Sequence, residues 1–519
     1  MRGKQNKGCV AAGHPTTAAA GATMLEAGGN AFDAAIAAVL TACVSESVLT
    51  SLAGGGFLLA HTAEGRDTLF DFFTQTPRQK QTLQPLNFYP IEANFGDAVQ
   101  QFHIGLGAIA TPGVLKGLVQ VHRQLGRLPL SVVAEPAMHW ATAGIRVNDF
   151  QAYCYDLLQP ILTANPATQA IYAPQGFPLQ AGEQFYLADF ATALAALVQA
   201  PEQFYQGAIA QQIVQDCQQQ GGYLTAADLA NYQVIERSPL KICYRGATLL
   251  TNPPPSSGGT LIAFALKLLE HVDFSNLEPG SPAHLQTLAT VMRLTNEARR
   301  DGYDANLYQK NIADFFLSPS HLTSYSADLS PIGRKWGSTT HISVIDAEGN
   351  AASITTSNGE GSSYIIPGTG MMMNNMLGEE DLNPQGFHQW QENQRMSSMM
   401  APTLLLLEGR PCLALGSGGS NRIRTAILQV ISNLIDFGMP IEAAVKAPRI
   451  HWERGVLNLE PGFDRSSLEA APHWTVDRWI WWQQQNMFFG GVHAVMAHAD
   501  GRIEGAGDAR RSGAIAAVP

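Results

Sequence analysis

A chain of 519 residues has room for one large α/β unit or for two to four smaller domains. With 45% hydrophobic and only 14% charged residues it can bury a large core, and a net charge of −11 without a basic block disfavours nucleic acid and anionic membranes as partners. The six cysteines (Cys9, Cys43, Cys154, Cys217, Cys243 and Cys412) are scattered without a Cys-x-x-Cys pair, so neither a disulfide framework nor a zinc site is signalled, and no metal or other cofactor is expected. Residues 1–7 are basic but run into Gly8-Cys-Val-Ala-Ala-Gly13 rather than an apolar segment, and the longest apolar stretch, 31–44, carries Asp33 and is too short to span a bilayer. The expectation is a cytoplasmic protein, or a periplasmic one if a signal has been trimmed.

Residues 10–14 predict a short buried strand. A helix follows over 16–28, stopped by Gly28-Gly29, with Asn30 as the cap of an alanine-rich second helix. Gly54-Gly55-Gly56 reads as a glycine turn feeding a strand; it lacks Gly-Lys-Ser/Thr, so it is no phosphate loop. Helices are predicted over 111–125 and 135–142, Thr225 is a plausible N-cap, and Asn252-Pro-Pro-Pro-Ser-Ser-Gly-Gly259 is a stiff loop before a helix over 260–269. From 318 to 335 the composition turns to Ser, Pro and Gly and reads as a linker.

The chain is organised around Gly337-Ser338-Thr339-Thr340-His341, which opens a strand. Ile342 and Val344 face one side of it, and His341, Ser343 and Ile345 the other. The turn 346–350 and a returning strand over 351–356 complete a hairpin. If the chain were cut before Thr339, the new α-amino group would be a general base for the threonine's own hydroxyl. Further on, 403–407 and 413–417 predict strands. The second ends in Gly418-Gly419, a turn opening a helix over 422–437, where backbone N–H groups and the helix dipole favour negative charge. The segment 384–386 reads as a possible lid, and 490–513 as a final strand pair. His493 reads as core, and His341 as a hydrogen-bonded strand histidine. Glu379-Glu380-Asp381 lacks the alternating spacing of a calcium loop.

Residues 337–346, together with Gly28-Gly-Asn-Ala-Phe-Asp, Gly54-Gly-Gly-Phe57, Ser397-Ser398-Met399 and Gly418-Gly419-Ser420, appear in an order that resembles the γ-glutamyltransferase family of N-terminal-nucleophile hydrolases. The resemblance implies a four-layer αββα sandwich. It also implies a precursor that cuts itself into 1–338 and 339–519, two fragments of one intertwined domain. Thr339 would be the nucleophile, Gly418 and Gly419 the oxyanion hole, and Ser357 the hydroxyl that steadies the nucleophile. Ser397 and Ser398 would hold the substrate α-carboxylate, with Glu379 at its α-amino group and Asn358 as a further substrate-binding residue.

Departures gather in the acyl pocket. Phe73 stands where the family has a carboxylate-gripping arginine, and a phenyl ring offers no charged fork. Gly359 replaces an asparagine, with Asn358 adjacent as a substitute, and Met376 replaces a glutamine. Glu379 replaces an aspartate, a change expected to keep the charge. Arg395, beside the serines, is a candidate replacement cation. The first reading is hydrolysis or transfer of γ-glutamyl amides such as glutathione. Alternatives are a cephalosporin-acylase-like enzyme acting on another small-molecule amide, or an unprocessed homologue serving as a binding scaffold.

Overall fold

The computed structural model describes residues 7–94, 99–325 and 339–519. Thirteen strands build its two large sheets. They are β1 (Gly8–Ala12), β2 (Gly55–His61), β3 (Asp67–Phe72), β4 (Ile235–Arg237), β5 (Leu240–Tyr244), β6 (Ala247–Thr251), β7 (Thr340–Asp346), β8 (Ala351–Ser357), β9 (Thr403–Leu407), β10 (Arg410–Gly418), β11 (Gly491–Ala497), β12 (Ile503–Ala506) and β13 (Ala514–Val518). The first sheet is seven-stranded in the order β13-β1-β7-β8-β2-β3-β4, and the second is six-stranded in the order β12-β11-β10-β9-β6-β5. Strands from before and after Thr339 therefore share both sheets, and in the seven-stranded one they interleave.

Alternation along β7 sets the layers. Ile342 and Val344 enter one core with helices α1 (Pro15–Glu26) and α2 (Ala31–Ser45), while Ile345 enters a second core shared with the six-stranded sheet. Helices α3 (Gly258–Leu269), α4 (Pro282–Ala298) and α5 (Arg422–Ile435) belong to that second core. Helix–sheet–sheet–helix is the αββα sandwich of the N-terminal-nucleophile hydrolases. The alanines of α1 and α2 let the two helices lie close, with all fifteen residues of α2 buried. Asn30 caps α2 with a full capping box through Asp33, and Thr225 caps its own short helix with Asp228, as their side chains predict.

Three elements differ from expectation. The helix placed at 135–142 begins earlier, at Leu130, and carries Pro136 inside it, a residue that reads as a helix start in sequence. Part of the supposed linker is the helix Pro319–Ser324, with Ser318 as N-cap and Pro319 in its first turn; the remainder, 326–335, with Gly337 and Ser338, lies outside the described residues. The strand pair expected over 490–513 is present as β11 and β12 in the six-stranded sheet, but it is not the last element: β13 follows and crosses to pair with β1.

Candidate active site

Thr339 immediately precedes β7 and is buried. Its carbonyl accepts a hydrogen bond from Arg511 Nη1 at 3.0 Å. Gly418, the last residue of β10, lies so close that a Cβ there would stand 2.1 Å from the Thr339 carbonyl oxygen, which explains the glycine. Gly419 follows with φ of 120° and Ser420 with φ of 47°, both in the left-handed region, and α5 starts two residues later. The turn thus points the N-terminus of a 14-residue helix at the threonine's neighbourhood.

A narrow cleft with a cavity volume of about 30 Å³ opens on Thr339. Its apolar wall is Phe73, Met376, Leu382, Met399, Met400 and Ile423. Ser357, Ser398, Glu379 and Ser420 supply its polar atoms. Ser397 lines the adjoining cavity instead, which also contains Ser398, Glu379 and Arg299, and its Oγ is 3.3 Å from Ser257 Oγ. The structure thus brings Thr339, Ser357, Ser398 and Glu379 to one chamber, with Gly418 against the threonine and Ser397 next door. Asn358 is not brought there: it is fully buried and donates its amide to the carbonyls of Met372 and Met373 at 3.3 and 3.4 Å.

Two expectations about charge are corrected. Glu379 is not placed as the freely ionised carboxylate expected. Burial, helped by Glu360 and Asp381, holds its carboxyl well above the usual range and so favours the protonated acid. Its Oε1 has no hydrogen-bond partner among the described residues. The departures at 359 and 379 explain one another: Gly359 has φ of 62°, and a Cβ there would stand 2.1 Å from Glu379 Oε1. Arg395 does not replace the missing arginine either. Its guanidinium donates to the Phe73 carbonyl, the Tyr232 hydroxyl and the Gln233 carbonyl, and faces the buried Asp71, which also pairs with Arg237 at 2.8 Å. Phe73 fills the space above, stacked on Phe57 with ring centroids 5.4 Å apart.

The histidines are structural. His341 is fully buried between Thr355 Oγ1 at 2.8 Å and Ser343 Oγ at 2.9 Å, and desolvation keeps it neutral. His493 is core, lowered to about 4 by burial. Sequence reasoning missed the residues behind Thr339, Glu46 and Arg511. Glu46 accepts hydrogen bonds from Thr340 Oγ1 and, at 2.9 Å, from Thr17 Oγ1. A lone carboxylate closing the apolar run of α2 was the available signal, because such a group is buried only with partners. No group of three or more His, Cys, Asp or Glu able to hold a metal occurs among the described residues, and no described helix is long and apolar enough to cross a membrane.

A profile of the gamma-glutamyltranspeptidase family matches residues 17–518. The chain belongs to this family. It is an enzyme of the hydrolase and transferase kind. Among curated relatives it is 33% identical to the Acylase ACY 1 proenzyme of Pseudomonas sp. (strain SE83), over 99% of this chain and 94% of that one. It is 30% identical to the Glutathione hydrolase proenzyme of Escherichia coli (strain K12), over 98% and 91% of the two chains. Among solved structures, cephalosporin acylase from Bacillus halodurans superposes with a TM-score of 0.85 at 24% identity, covering 99% of this chain and 96% of that one, a likeness of fold.

Proposed function

We propose that this chain is a self-processing threonine amidohydrolase of the acylase type, acting on an amide whose acyl half lacks the α-carboxylate of a γ-glutamyl group. The observation that carries the reading is the chamber wall: Phe73 and Met376 line the cleft with Thr339, the nearby Arg395 is committed to Asp71 and backbone carbonyls, and burial favours the protonated form of Glu379. Burying a carboxylate there without a cation would cost several kcal/mol, on the order of the penalty for any unpaired buried ion. The relatives named as acylases support the choice.

In this reading the bond before Thr339 is cut first, giving fragments 1–338 and 339–519. The freed α-amine takes the proton from Thr339 Oγ as the oxygen attacks the amide carbon. N–H groups of Gly418 and Gly419 hold the oxyanion, each worth about 2.7–4 kcal/mol in comparable sites. The leaving nitrogen takes the proton from the α-ammonium as the C–N bond breaks, and water, activated by the same amine, releases the acid and restores the hydroxyl. Ser357 and Ser398 supply the remaining polar contacts in the chamber.

The test is intact mass and a denaturing gel of the purified protein beside Thr339→Ala, followed by turnover of a p-nitroanilide panel. Two fragments in the wild type, one chain in the variant, and faster turnover of neutral acyl anilides than of γ-glutamyl-p-nitroanilide are expected. A γ-glutamyl preference would return the enzyme to the transpeptidase reading. An uncut, inert wild-type chain would sink both.

A further inference from the structure

The acyl chamber does not use the buried charge that lies behind the nucleophile. Glu46 follows the last turn of α2 and is buried. Its two oxygens are taken by hydroxyls from different elements: Oε1 by Thr17 on α1 at 2.9 Å, Oε2 by Thr340 on β7. Thr17 is held in turn by Ser45 Oγ at 2.7 Å. Gly13 makes the room, for a Cβ there would stand 2.3 Å from Glu46 Oε2 and 3.1 Å from Thr340 Oγ1. Arg511, the cation interacting with Glu46, donates to the carbonyl of Thr339 itself. The peptide joining Thr339 to Thr340 is thus gripped from both ends, by Arg511 at its carbonyl and by Glu46 at the next side chain.

We propose that Glu46 is a positioning residue for the Thr339 nucleophile, its carboxylate fixing Thr340 and drawing Arg511 onto the Thr339 carbonyl so that the hydroxyl is in register for self-cleavage. The inference rests on Thr339 being the nucleophile. The physical reason that charge matters is directional. A carboxylate accepts from both threonine hydroxyls at once. A protonated carboxyl carries a proton that one of those hydroxyls must accept, which reverses a bond and weakens the pull on Arg511.

Desolvation raises Glu46 to about 7 against the opposing effects of Thr340, Thr17 and Arg511, so its charge changes near neutral pH. The other titratable groups around it do not change charge there. Burial lowers His14 to about 4, pushes Cys154 up to about 12, and raises Cys43 and Tyr155 further still. Arg511 is lowered by desolvation from an ordinary value of 12.5 and remains a cation. Self-cleavage precedes the free α-amine, so titration of that amine cannot produce the pH step.

The experiment follows self-cleavage of freshly translated full-length precursor from pH 5.5 to 8.5 on denaturing gels. Wild type, Glu46→Gln, Thr340→Val, Thr340→Ser and Thr339→Ala are compared, with melting curves for each. The neutral amide of Glu46→Gln imitates the protonated acid. The expected result is a wild-type rate that rises about tenfold through pH 7. Glu46→Gln should match the wild type at pH 5.5 and lag about tenfold at pH 8.5. Thr340→Val should lag as Glu46→Gln does, and Thr340→Ser should recover most of the rate. Glu46→Gln or Thr340→Val keeping the wild-type rate and pH profile would overturn the inference while leaving Thr339 as nucleophile. A uniform slowing at every pH with a lowered melting temperature would overturn it in favour of a structural role. Wild-type cleavage that persists in Thr339→Ala, or no cleavage at any pH, would remove the nucleophile reading and this one with it.

Discussion

In front of Thr339 the walls are Phe73, Met376, Leu382 and two further methionines, and burial favours the protonated form of the acid among them, Glu379. Behind it stand Glu46, Arg511, Thr340 and Thr17, with the carboxylate and the guanidinium each hydrogen-bonded to the chain that carries the nucleophile. The front can be rewritten one side chain at a time, because apolar walls exchange at modest cost when volume is kept. The rear cannot, because its hydrogen bonds fix one another's direction, so a change at one member shifts the peptide that carries Thr339. On the proposed reading, substrate preference and catalytic geometry are held by different kinds of interaction, separated by a single residue.

The comparison breaks completely if Thr339 is not where the two regions meet. Thr339→Ala should abolish self-cleavage and lower any residual amide turnover by at least about 10⁴-fold, since nucleophile and base are lost together; a gel and a single-turnover assay measure both. Gly418→Ala should come next. A Cβ 2.1 Å from the Thr339 carbonyl must push the nucleophile or the turn aside, and the expected loss is about 10²–10³-fold in kcat, the scale of one missing oxyanion donor. Turnover unchanged from wild type would show that the glycine turn is packing alone.

Much of this was legible in the sequence. The alternation of Ile342 and Val344 against His341 and Ile345 placed β7 between two cores, and Asn30 and Thr225 announced their helices through side chains that can accept a backbone N–H. Gly418-Gly419 announced the turn that opens α5, and the structure adds its close approach to Thr339. The helix starting at Leu130 and the strand β13 were not legible, because one hides its start behind Pro136 and the other takes its place by pairing with β1, a contact about 500 residues away in the chain. The state of Glu379 was hidden for a different reason. A carboxylate reads as charged until its surroundings are known, and here they are Gly359, Glu360 and a buried pocket. Arg395 likewise read as a free cation until Asp71, Tyr232 and the Phe73 carbonyl were seen to hold it.

The rear region can be sharpened by stability alone. The folded protein holds Glu46 near 7, against an ordinary value of 4.5, so folding favours its protonated form. The sign follows: the stability this proton provides is present in full below about pH 4.5 and is lost as pH rises to about 7, after which the loss is constant. Glu46→Gln should therefore be more stable than the wild type at pH 8, by up to about 3 kcal/mol, and nearly equal to it at pH 4.5. Urea unfolding at the two pH values reads the difference. A variant less stable at pH 8 would mean that the ionised network repays its own desolvation.

The front region is sharpened by restoring what it lacks. Phe73→Arg would carry a guanidinium into the chamber near Ser398, while the Phe73 backbone carbonyl stays available to Arg395. The stack on Phe57 is lost and a charge is desolvated, so the melting temperature should fall. The informative quantity is a ratio within the variant, which cancels any loss of folded enzyme: kcat/KM for γ-glutamyl-p-nitroanilide over that for a neutral acyl anilide. A charge-assisted contact made by one substrate and not the other is worth about 1.5–3 kcal/mol, and a partly exposed one less, so the ratio should rise about tenfold. It should rise through KM rather than kcat, because the carboxylate is bound equally before and during attack on the distant carbonyl. If the ratio stays level while the variant remains folded and cleaved, the missing cation is not what sets the acyl preference, and Glu379 beside Gly359 becomes the element of the chamber that decides it.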